Sequence, residues 1–193
     1  MFIDLVKKNR SYRGYDHSRK ITKEELLSLV EMARLTPSSV NAQPLKYYLA
    51  YESEEVAVVQ KMTKWAKALP ELQLPHDGEC PTGFIVICQD TKIDSALGRY
   101  LKDVGIVAQT MLLGAVEMGL GGCMIGNFPA GEVSKTLGFD DNISPLLIVA
   151  IGKPCEEIVM VEIENGESHK YYRDDNDVHY VPKRKLADIV ISK

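Results

Sequence analysis

The chain has 193 residues and a formal net charge of −4, with 45% hydrophobic and 26% charged residues. This length suits one domain with a sizeable core, over residues 1–193, and the near-average composition excludes disordered, collagen-like and low-complexity proteins. The acidic balance argues against a protein whose whole surface binds nucleic acid or anionic lipid. Any basic cluster must therefore be a local feature.

The four cysteines are spaced by 8, 35 and 32 positions. This spacing matches neither a Cys-x-x-Cys pair nor a small disulfide framework, so we expect a reduced, cytoplasmic protein. No stretch approaches 18 uncharged apolar residues, and the first ten residues lack an apolar signal region. The sequence therefore predicts neither export nor a membrane span.

The first forty residues predict two helices separated by a polar loop. Apolar residues at helical spacing in residues 2–6 indicate a short amphipathic helix, which leads into the loop Arg10–Tyr15. Thr22 and Glu25 have the spacing of a capping box, which predicts a second helix that ends before Pro37.

The next fifty residues predict an irregular segment, two strands and a helix. Residues 37–44 are irregular, Tyr47–Tyr51 is a candidate strand, and Glu54–Leu69 has the pattern of a helix. Pro70–Pro81 is predicted to be a loop, and the continuously apolar run Phe84–Cys88 is typical of a strand buried on both faces.

The second half predicts a long buried helix followed by short strands. Ala96–Met118 is more apolar than a surface helix needs to be, which favours a homodimer built on it. The remaining elements are predicted strands at Cys123–Ile125, Leu146–Ile151 and Ile158–Ile163 and a helix at Gly131–Leu137. The uneven spacing favours an α+β fold with a mixed or antiparallel sheet flanked by helices.

Two basic clusters stand near opposite ends of the chain. Arg10, Ser11 and Arg13 offer two guanidinium groups and a hydroxyl, which suit a phosphate or a carbonyl-rich ring edge. The alternative is a solvated connection after a helix. Lys183 and Lys185 belong to a second cluster, whose alternative is a charged tail.

The irregular segment 37–44 carries polar side chains that could meet a heteroaromatic ligand. Ser38, Ser39 and Asn41 supply donors and acceptors, although turns use the same residue types. The serines lack a Gly-x-Ser-x-Gly elbow, which disfavours hydrolase chemistry, and the four histidines lack metal-ligand spacing.

A glycine cluster follows the long helix. It precedes a strand, whereas a dinucleotide fingerprint follows a strand, so a Rossmann site is disfavoured. We interpret Gly119 as the helix terminator and Gly121 and Gly122 as a turn. Gly126, beyond the strand, would let a flat ligand approach the backbone.

Three further side chains could line a pocket, and for each a core position is the alternative that we favour. They are Trp65, Tyr100 and Cys123, the last of which could also be redox-active.

Taken together, the four motifs resemble the FMN-dependent nitroreductase family. They are Arg10–Arg13, Pro37–Pro44, Gly119–Gly126 and Val181–Lys185, in this order along nearly the whole chain. The resemblance implies an interlocked α+β homodimer with two FMN sites at its interface, each built from both subunits.

The resemblance also implies roles for individual residues. Arg10, Ser11 and Arg13 are similar to ligands of the FMN phosphate and pyrimidine edge, with Lys183 and Lys185 as phosphate partners. The other subunit would contribute Ser38, Ser39 and Asn41. Ile125 and Gly126 match the segment that lies against the flavin ring.

The function implied is an NAD(P)H oxidoreductase that reduces nitroaromatics, quinones or related small acceptors by a ping-pong cycle. Because FMN supplies the hydride chemistry, the protein needs no nucleophile and no metal. Two alternatives stay open: a flavin-binding or sensor protein without turnover, and a specialised member that dehalogenates a ring or consumes the flavin.

Overall fold

The computed structural model describes residues 1–67, 69 and 71–192, and it confirms the predicted α+β class. Its helices are α1 (Phe2–Lys8), α2 (Lys23–Arg34), α3 (Ser53–Met62), α4 (Leu101–Glu117) and α5 (Ala130–Thr136). Its strands are β1 (Leu45–Ala50), β2 (Gly83–Asp90), β3 (Gly121–Ile125), β4 (Ile143–Gly152), β5 (Ile158–Ile163), β6 (Tyr172–Arg173) and β7 (His179–Arg184). None of the helices in this part of the chain has the length and apolar character of a membrane span.

The strands form two sheets. The larger is fully antiparallel with the order β1-β2-β4-β3, and the smaller has the order β5-β7-β6, in which β5 and β7 run parallel. Residues 83–89 of β2 are all buried because this central strand is covered on both faces.

Alternate residues of β2 divide the core into two layers. Ile85 and Ile87 pack with the apolar faces of α2 and α4 on one side of the sheet. Phe84 and Val86 pack with α3 and α5 on the other side. This two-residue period puts helices on both faces of the larger sheet.

Two predicted helices are longer than the observed ones. The helix predicted to continue to Leu69 ends at Met62, because Thr63 adopts an extended conformation with ψ 143°. The indole N–H of Trp65 donates to the Thr63 hydroxyl at 2.8 Å, so Trp65 follows the helix instead of belonging to it. Of the predicted helix 54–69 and loop 70–81, residues 68 and 70 lie outside the described residues.

The long apolar helix begins at Leu101 instead of Ala96. The carboxylate of Asp94 accepts the Ala96 N–H at 2.8 Å and the Tyr100 hydroxyl at 3.0 Å, which holds this segment in turns. Local side-chain hydrogen bonds of this kind compete with helix formation.

Sequence patterns missed β6 and β7. Strand β7 contains Pro182, which lacks the N–H that a ladder needs and is therefore uncommon inside a strand. The proline is accommodated because the two-residue β6 pairs only with His179 and Tyr180, so the rest of β7 has one open edge.

Candidate functional site

The segment after α1 is held against β3 by backbone contacts. Ser11 forms a parallel bridge with Gly122, and the Tyr12 N–H donates to the Gly122 carbonyl at 3.1 Å. A Cβ atom at Gly121 would lie 2.6 Å from the Tyr12 ring, and one at Gly122 would lie 2.2 Å from the Ala150 carbonyl oxygen. Only glycine permits this approach.

The glycine cluster therefore differs from its sequence interpretation. Gly121 and Gly122 belong to β3 and do not form a turn, so that prediction was wrong. The prediction for Gly119 is confirmed, since its φ of 74° is the left-handed conformation that terminates α4.

A cavity of about 320 Å³ opens beside this segment, and we call it the arginine cavity. Arg10, Arg13 and Lys183 all line it, so the structure joins the two basic clusters from opposite ends of the chain. No carboxylate is among its described lining residues, which makes it suited to an anion. The described lining residues are Asn9, Arg10, Ser11, Arg13, Gln109, Leu112, Met124, Ile158, Tyr171, His179, Val181 and Lys183.

Three lining residues have a buried nitrogen without a hydrogen-bond partner among the described residues: Nε of Arg10, Nε of Arg13 and Nδ1 of His179. The other guanidinium nitrogens are partly engaged, since Arg10 donates to the Val6 carbonyl at 2.8 Å and Arg13 to the Ser11 carbonyl at 3.1 Å. Burial lowers the pKa of Arg10. Unpaired buried polar atoms are costly, so their concentration here indicates a ligand.

A buried ion pair fixes the turn that carries Arg13. The Glu156 carboxylate accepts hydrogen bonds from the backbone N–H groups of Arg13 and Gly14 and pairs with Arg173. The side chains of Glu156 and Arg173 are each only 4% exposed. Burial raises the pKa of Glu156, against the opposing effects of the Arg13 backbone N–H and the Arg173 charge.

His179 closes the same region from β7. Its side chain is buried, and burial together with the charges of Arg13 and Arg173 lowers its pKa to about 4. The imidazole is therefore neutral at pH 7 and adds no charge to the arginine cavity. Its ring lies 5.3 Å from the Tyr171 ring, over which the Arg13 guanidinium stands at 5.0 Å.

Ser38, Ser39 and Asn41 lie outside the arginine cavity of their own chain. The Ser38 hydroxyl and the Ser39 backbone N–H both donate to Oδ2 of Asp103 on α4, at 2.7 and 2.8 Å. The Ser39 hydroxyl donates to Oδ1 of the same carboxylate. Burial would raise the pKa of Asp103, but these hydrogen bonds outweigh it and lower the pKa.

This 38–43 loop has an unusual backbone. Val40, Asn41 and Gln43 adopt positive φ values of 49°, 56° and 51°. Positive φ is disfavoured for non-glycine residues and most of all for a β-branched one such as Val40, which is also 92% exposed. Strain of this kind concentrates at functional segments.

The remaining predicted residues are also outside the lining of the arginine cavity. Ile125 is buried in the core layer of α3 and α5, whereas Gly126 is exposed, and a Cβ atom there would meet nothing within 4 Å beyond its chain neighbours. Lys185 forms an ion pair with Glu164. Of the ten predicted residues, the structure thus groups Arg10, Ser11, Arg13 and Lys183 in one cavity.

The core alternative is confirmed for Tyr100 and Cys123, and it stays a prediction for Trp65. Tyr100 and Cys123 are buried, and the half-buried Trp65 packs against the core layer of α3 and α5. Burial raises the pKa of Cys123 to about 11, so this residue is an unreactive thiol at neutral pH.

Sequence reasoning missed His179, Tyr171, Glu156 and Arg173. None belongs to a recognisable motif. Arg173 and His179 lie on β6 and β7, which were not predicted, and Glu156 and Tyr171 lie in the connections before β5 and β6. One pattern in the sequence could have indicated Tyr171, Arg173 and His179: residues 171–181 are rich in ionisable side chains and lie shortly before the basic cluster 183–185.

Comparisons with known proteins agree with this fold. A family model described as "Nitroreductase family" matches residues 6–153, and the chain belongs to that family. YdgI of Bacillus subtilis, a proposed NAD(P)H nitroreductase, is 27% identical over 188 residues, with 81% of this chain and 90% of that protein covered.

Two solved structures share the fold. A nitroreductase family protein from Streptococcus pneumoniae superimposes with a TM-score of 0.72 at 18% identity, covering 100% of both chains. A protein from Exiguobacterium sibiricum, solved in complex with FMN, has a TM-score of 0.67 at 23% identity, with 81% of this chain and 89% of that chain covered.

Proposed function

We propose that the protein is an FMN-dependent NAD(P)H oxidoreductase that reduces nitroaromatic, quinone or related small acceptors. The observation that carries the proposal is the arginine cavity, in which three buried nitrogens lack a hydrogen-bond partner and no carboxylate is among the described lining residues. Its occurrence in a chain of the nitroreductase family, with a similar fold known in complex with FMN, supports the choice of cofactor.

The residues fit the charge and hydrogen-bonding needs of FMN. Arg10 and Lys183 would hold the phosphate, since a guanidinium and an ammonium both suit a dianion. Arg13 would face the pyrimidine edge, and Ser11 would add backbone and hydroxyl contacts. Bound FMN would supply the hydride chemistry, and Arg13 would stabilise negative charge on the reduced ring.

The proposed site needs a second copy of the chain. Ser38, Ser39 and Asn41 do not line the arginine cavity of their own chain, so they would serve the cavity of the partner subunit. Large apolar side chains are exposed on α1, on α4 and after β7, as an unpaired dimer surface would be. They are Phe2, Ile3, Leu101, Ile106, Leu186, Ile189, Val190 and Ile191.

The whole of residues 1–193 would act as one FMN-binding domain, because both basic clusters contribute to one cavity. NAD(P)H and the acceptor would occupy the same exposed side of the ring in turn, which gives ping-pong kinetics. Ile125 and Gly126 would lie along that ring, and Lys185 would reach the phosphate only if it left Glu164.

The visible spectrum of the purified protein tests this function directly. We expect a yellow protein that releases FMN on denaturation and loses its colour when NADH or NADPH is added without oxygen. A colourless protein that takes up no FMN would refute the cofactor. A yellow protein that neither nucleotide reduces would instead be a flavin-binding protein without turnover.

A further inference from the structure

A second cavity, of about 310 Å³, lies on the α3 side of the larger sheet, and we call it the lysine cavity. It is bounded by the segment before α2, by α3 and by the residues that lead into β2. Among the residues that the structure describes, it shares none with the lining of the arginine cavity. The lining is His17, Lys20, Tyr51, Ser53, Val56, Ala57, Gln60, Lys61, Cys80, Pro81 and Thr82.

The walls of the lysine cavity are largely apolar. Tyr51, Val56, Ala57 and Pro81 contribute a ring and aliphatic carbons. Small-molecule sites combine such walls with a few placed polar groups, and this volume is at the lower end of their range. The walls therefore suit a flat apolar body smaller than a dinucleotide.

The charged groups of this cavity all have one sign. Lys20 and Lys61 line it, and a third ammonium, that of Lys23, stands 6.0 Å from the centre of the Tyr51 ring. Within the described chain, neither Lys20 nor Lys61 forms an ion pair and no carboxylate side chain lines the cavity. In a chain with net charge −4, this patch is complementary to an anion.

One buried hydrogen-bond acceptor among the lining residues lacks a donor in the described structure. The side-chain oxygen of Gln60, a lining residue, is buried without a hydrogen-bond partner in the described residues. Such an oxygen costs free energy unless a donor reaches it. A hydroxyl or N–H on a ligand would supply that donor.

The only thiol of the lining is not suited to covalent chemistry. Burial, together with the charge of Asp77, raises the pKa of Cys80. The Cys80 carbonyl is 3.2 Å from Nδ1 of His17, so this backbone is also engaged. The lysine cavity is thus equipped for reversible binding.

We propose that the lysine cavity binds a small organic anion that has a flat apolar body, a carboxylate for Lys20 and Lys61, and a hydrogen-bond donor for Gln60. This site is separate from the proposed flavin site and does not depend on it.

The probe that matches this description is 6-hydroxy-2-naphthoate, titrated by fluorescence into purified protein with and without excess FMN. We expect one saturable site per chain, unaffected by FMN. Two analogues test the polar groups: 2-naphthoate lacks the donor and 2-naphthol lacks the charge. Each should bind at least tenfold more weakly, which is about 1.4 kcal/mol.

Variants assign the binding to the lysine cavity. Replacing both Lys20→Gln and Lys61→Gln should weaken hydroxynaphthoate at least tenfold, whereas the control Lys135→Gln on α5 should not. Gln60→Leu should remove the preference for hydroxynaphthoate over naphthoate. If Gln60→Leu does not fold, the analogue series on the unchanged protein still tests the donor.

Three results would overturn the proposal. Displacement of the probe by FMN would assign it to the arginine cavity, and equal affinity in the double lysine variant would separate the binding from these cations. Absence of saturable binding at millimolar probe would exclude the site for this class of anion.

Discussion

Arg13 combines three features of the site. Its backbone is held by Glu156, its guanidinium stands over Tyr171, and its Nε is buried without a partner in the described structure. The side chain is therefore positioned before any ligand arrives. Preorganised donors contribute more to binding because little ordering cost remains.

Arg13→Ala should weaken FMN binding about 10- to 100-fold, because a hydrogen bond to a charged group contributes about 1.5 to 3 kcal/mol. Lys183→Ala should act similarly and should depend on salt, as a phosphate contact near solvent does. Flavin fluorescence quenching measures both. The control is Arg34→Ala, whose side chain pairs with Glu31 on the exposed face of α2. Wild-type affinity in both site variants would contradict the proposed site.

His179 should make stability depend on pH. Its folded pKa of about 4 lies below its ordinary value of 6.5, so between these values the unfolded chain binds a proton that the folded chain does not. Stability should therefore fall as the pH drops from about 6.5 to about 4, by at most about 1.4 kcal/mol per pH unit. Urea unfolding at a series of pH values gives the free energy of unfolding of the wild type and of His179→Gln, and the difference between the two isolates the contribution of His179. If the two free energies change with pH in parallel, His179 makes no such contribution.

At the scale of elements, the position of the 38–43 loop depends on Asp103 of helix α4. Asp103 of α4 accepts three hydrogen bonds from Ser38 and Ser39, and the loop beyond them contains three residues with positive φ. The hydrogen bonds compensate for the strained backbone. Helix α4 therefore determines where the loop presents Asn41.

Asp103→Asn should lower the free energy of unfolding by about 1 to 3 kcal/mol, because a charged acceptor is lost from a buried cluster. It should also weaken FMN binding, although Asp103 does not line the arginine cavity. Chemical unfolding and flavin titration measure the two effects, with Asp140→Asn as the exposed control. Unchanged FMN affinity in a destabilised variant would show that the loop does not contribute to the site.

Strand β3 and the residue after it allow a matched pair of glycine substitutions. Gly121→Ala should destabilise the fold, since its Cβ would lie 2.6 Å from the Tyr12 ring. Gly126→Val should leave the fold intact because the added Cβ has open space within 4 Å. If Gly126 faces the flavin ring, its variant should slow reduction by NAD(P)H more than it weakens FMN binding. Stopped-flow reduction at the wild-type rate would reject that placement.

At the scale of the whole molecule, the two groups of predicted cofactor residues do not share a cavity within one chain. Arg13 lines the arginine cavity, whereas Asn41 lies on the 38–43 loop, whose Ser38 and Ser39 donate to Asp103 of α4. A homodimer would unite them, as isologous assemblies can.

Mixing two inactive variants tests the shared site. Arg13→Ala and Asn41→Ala should each lose most NAD(P)H oxidation. After the two are unfolded and refolded together, half of the dimers should be mixed, each with one intact site, which restores about a quarter of the wild-type activity. Recovery should be absent when each variant is refolded alone. No recovery in the mixture, or a monomeric mass near 21.5 kDa in the active wild type, would contradict the two-subunit site.

The sequence by itself determined the features that depend on local patterns. The apolar run of β2, the periodicity of α4 and the capping box of Thr22 and Glu25 were predictable because neighbouring residues encode them. The chemical character of the basic clusters was also readable, since guanidinium and ammonium groups suit anions in any fold.

Only the tertiary structure decided which of these groups meet. In the folded chain, Arg13 contacts Glu156 and lines one cavity with His179 and Lys183. Ser38 does not line that cavity and donates a hydrogen bond to Asp103. It also showed that Gly121 is required by the ring of Tyr12 and not by a turn. These contacts join residues far apart in the chain, and they depend on how whole elements pack, which periodicity and propensity do not encode.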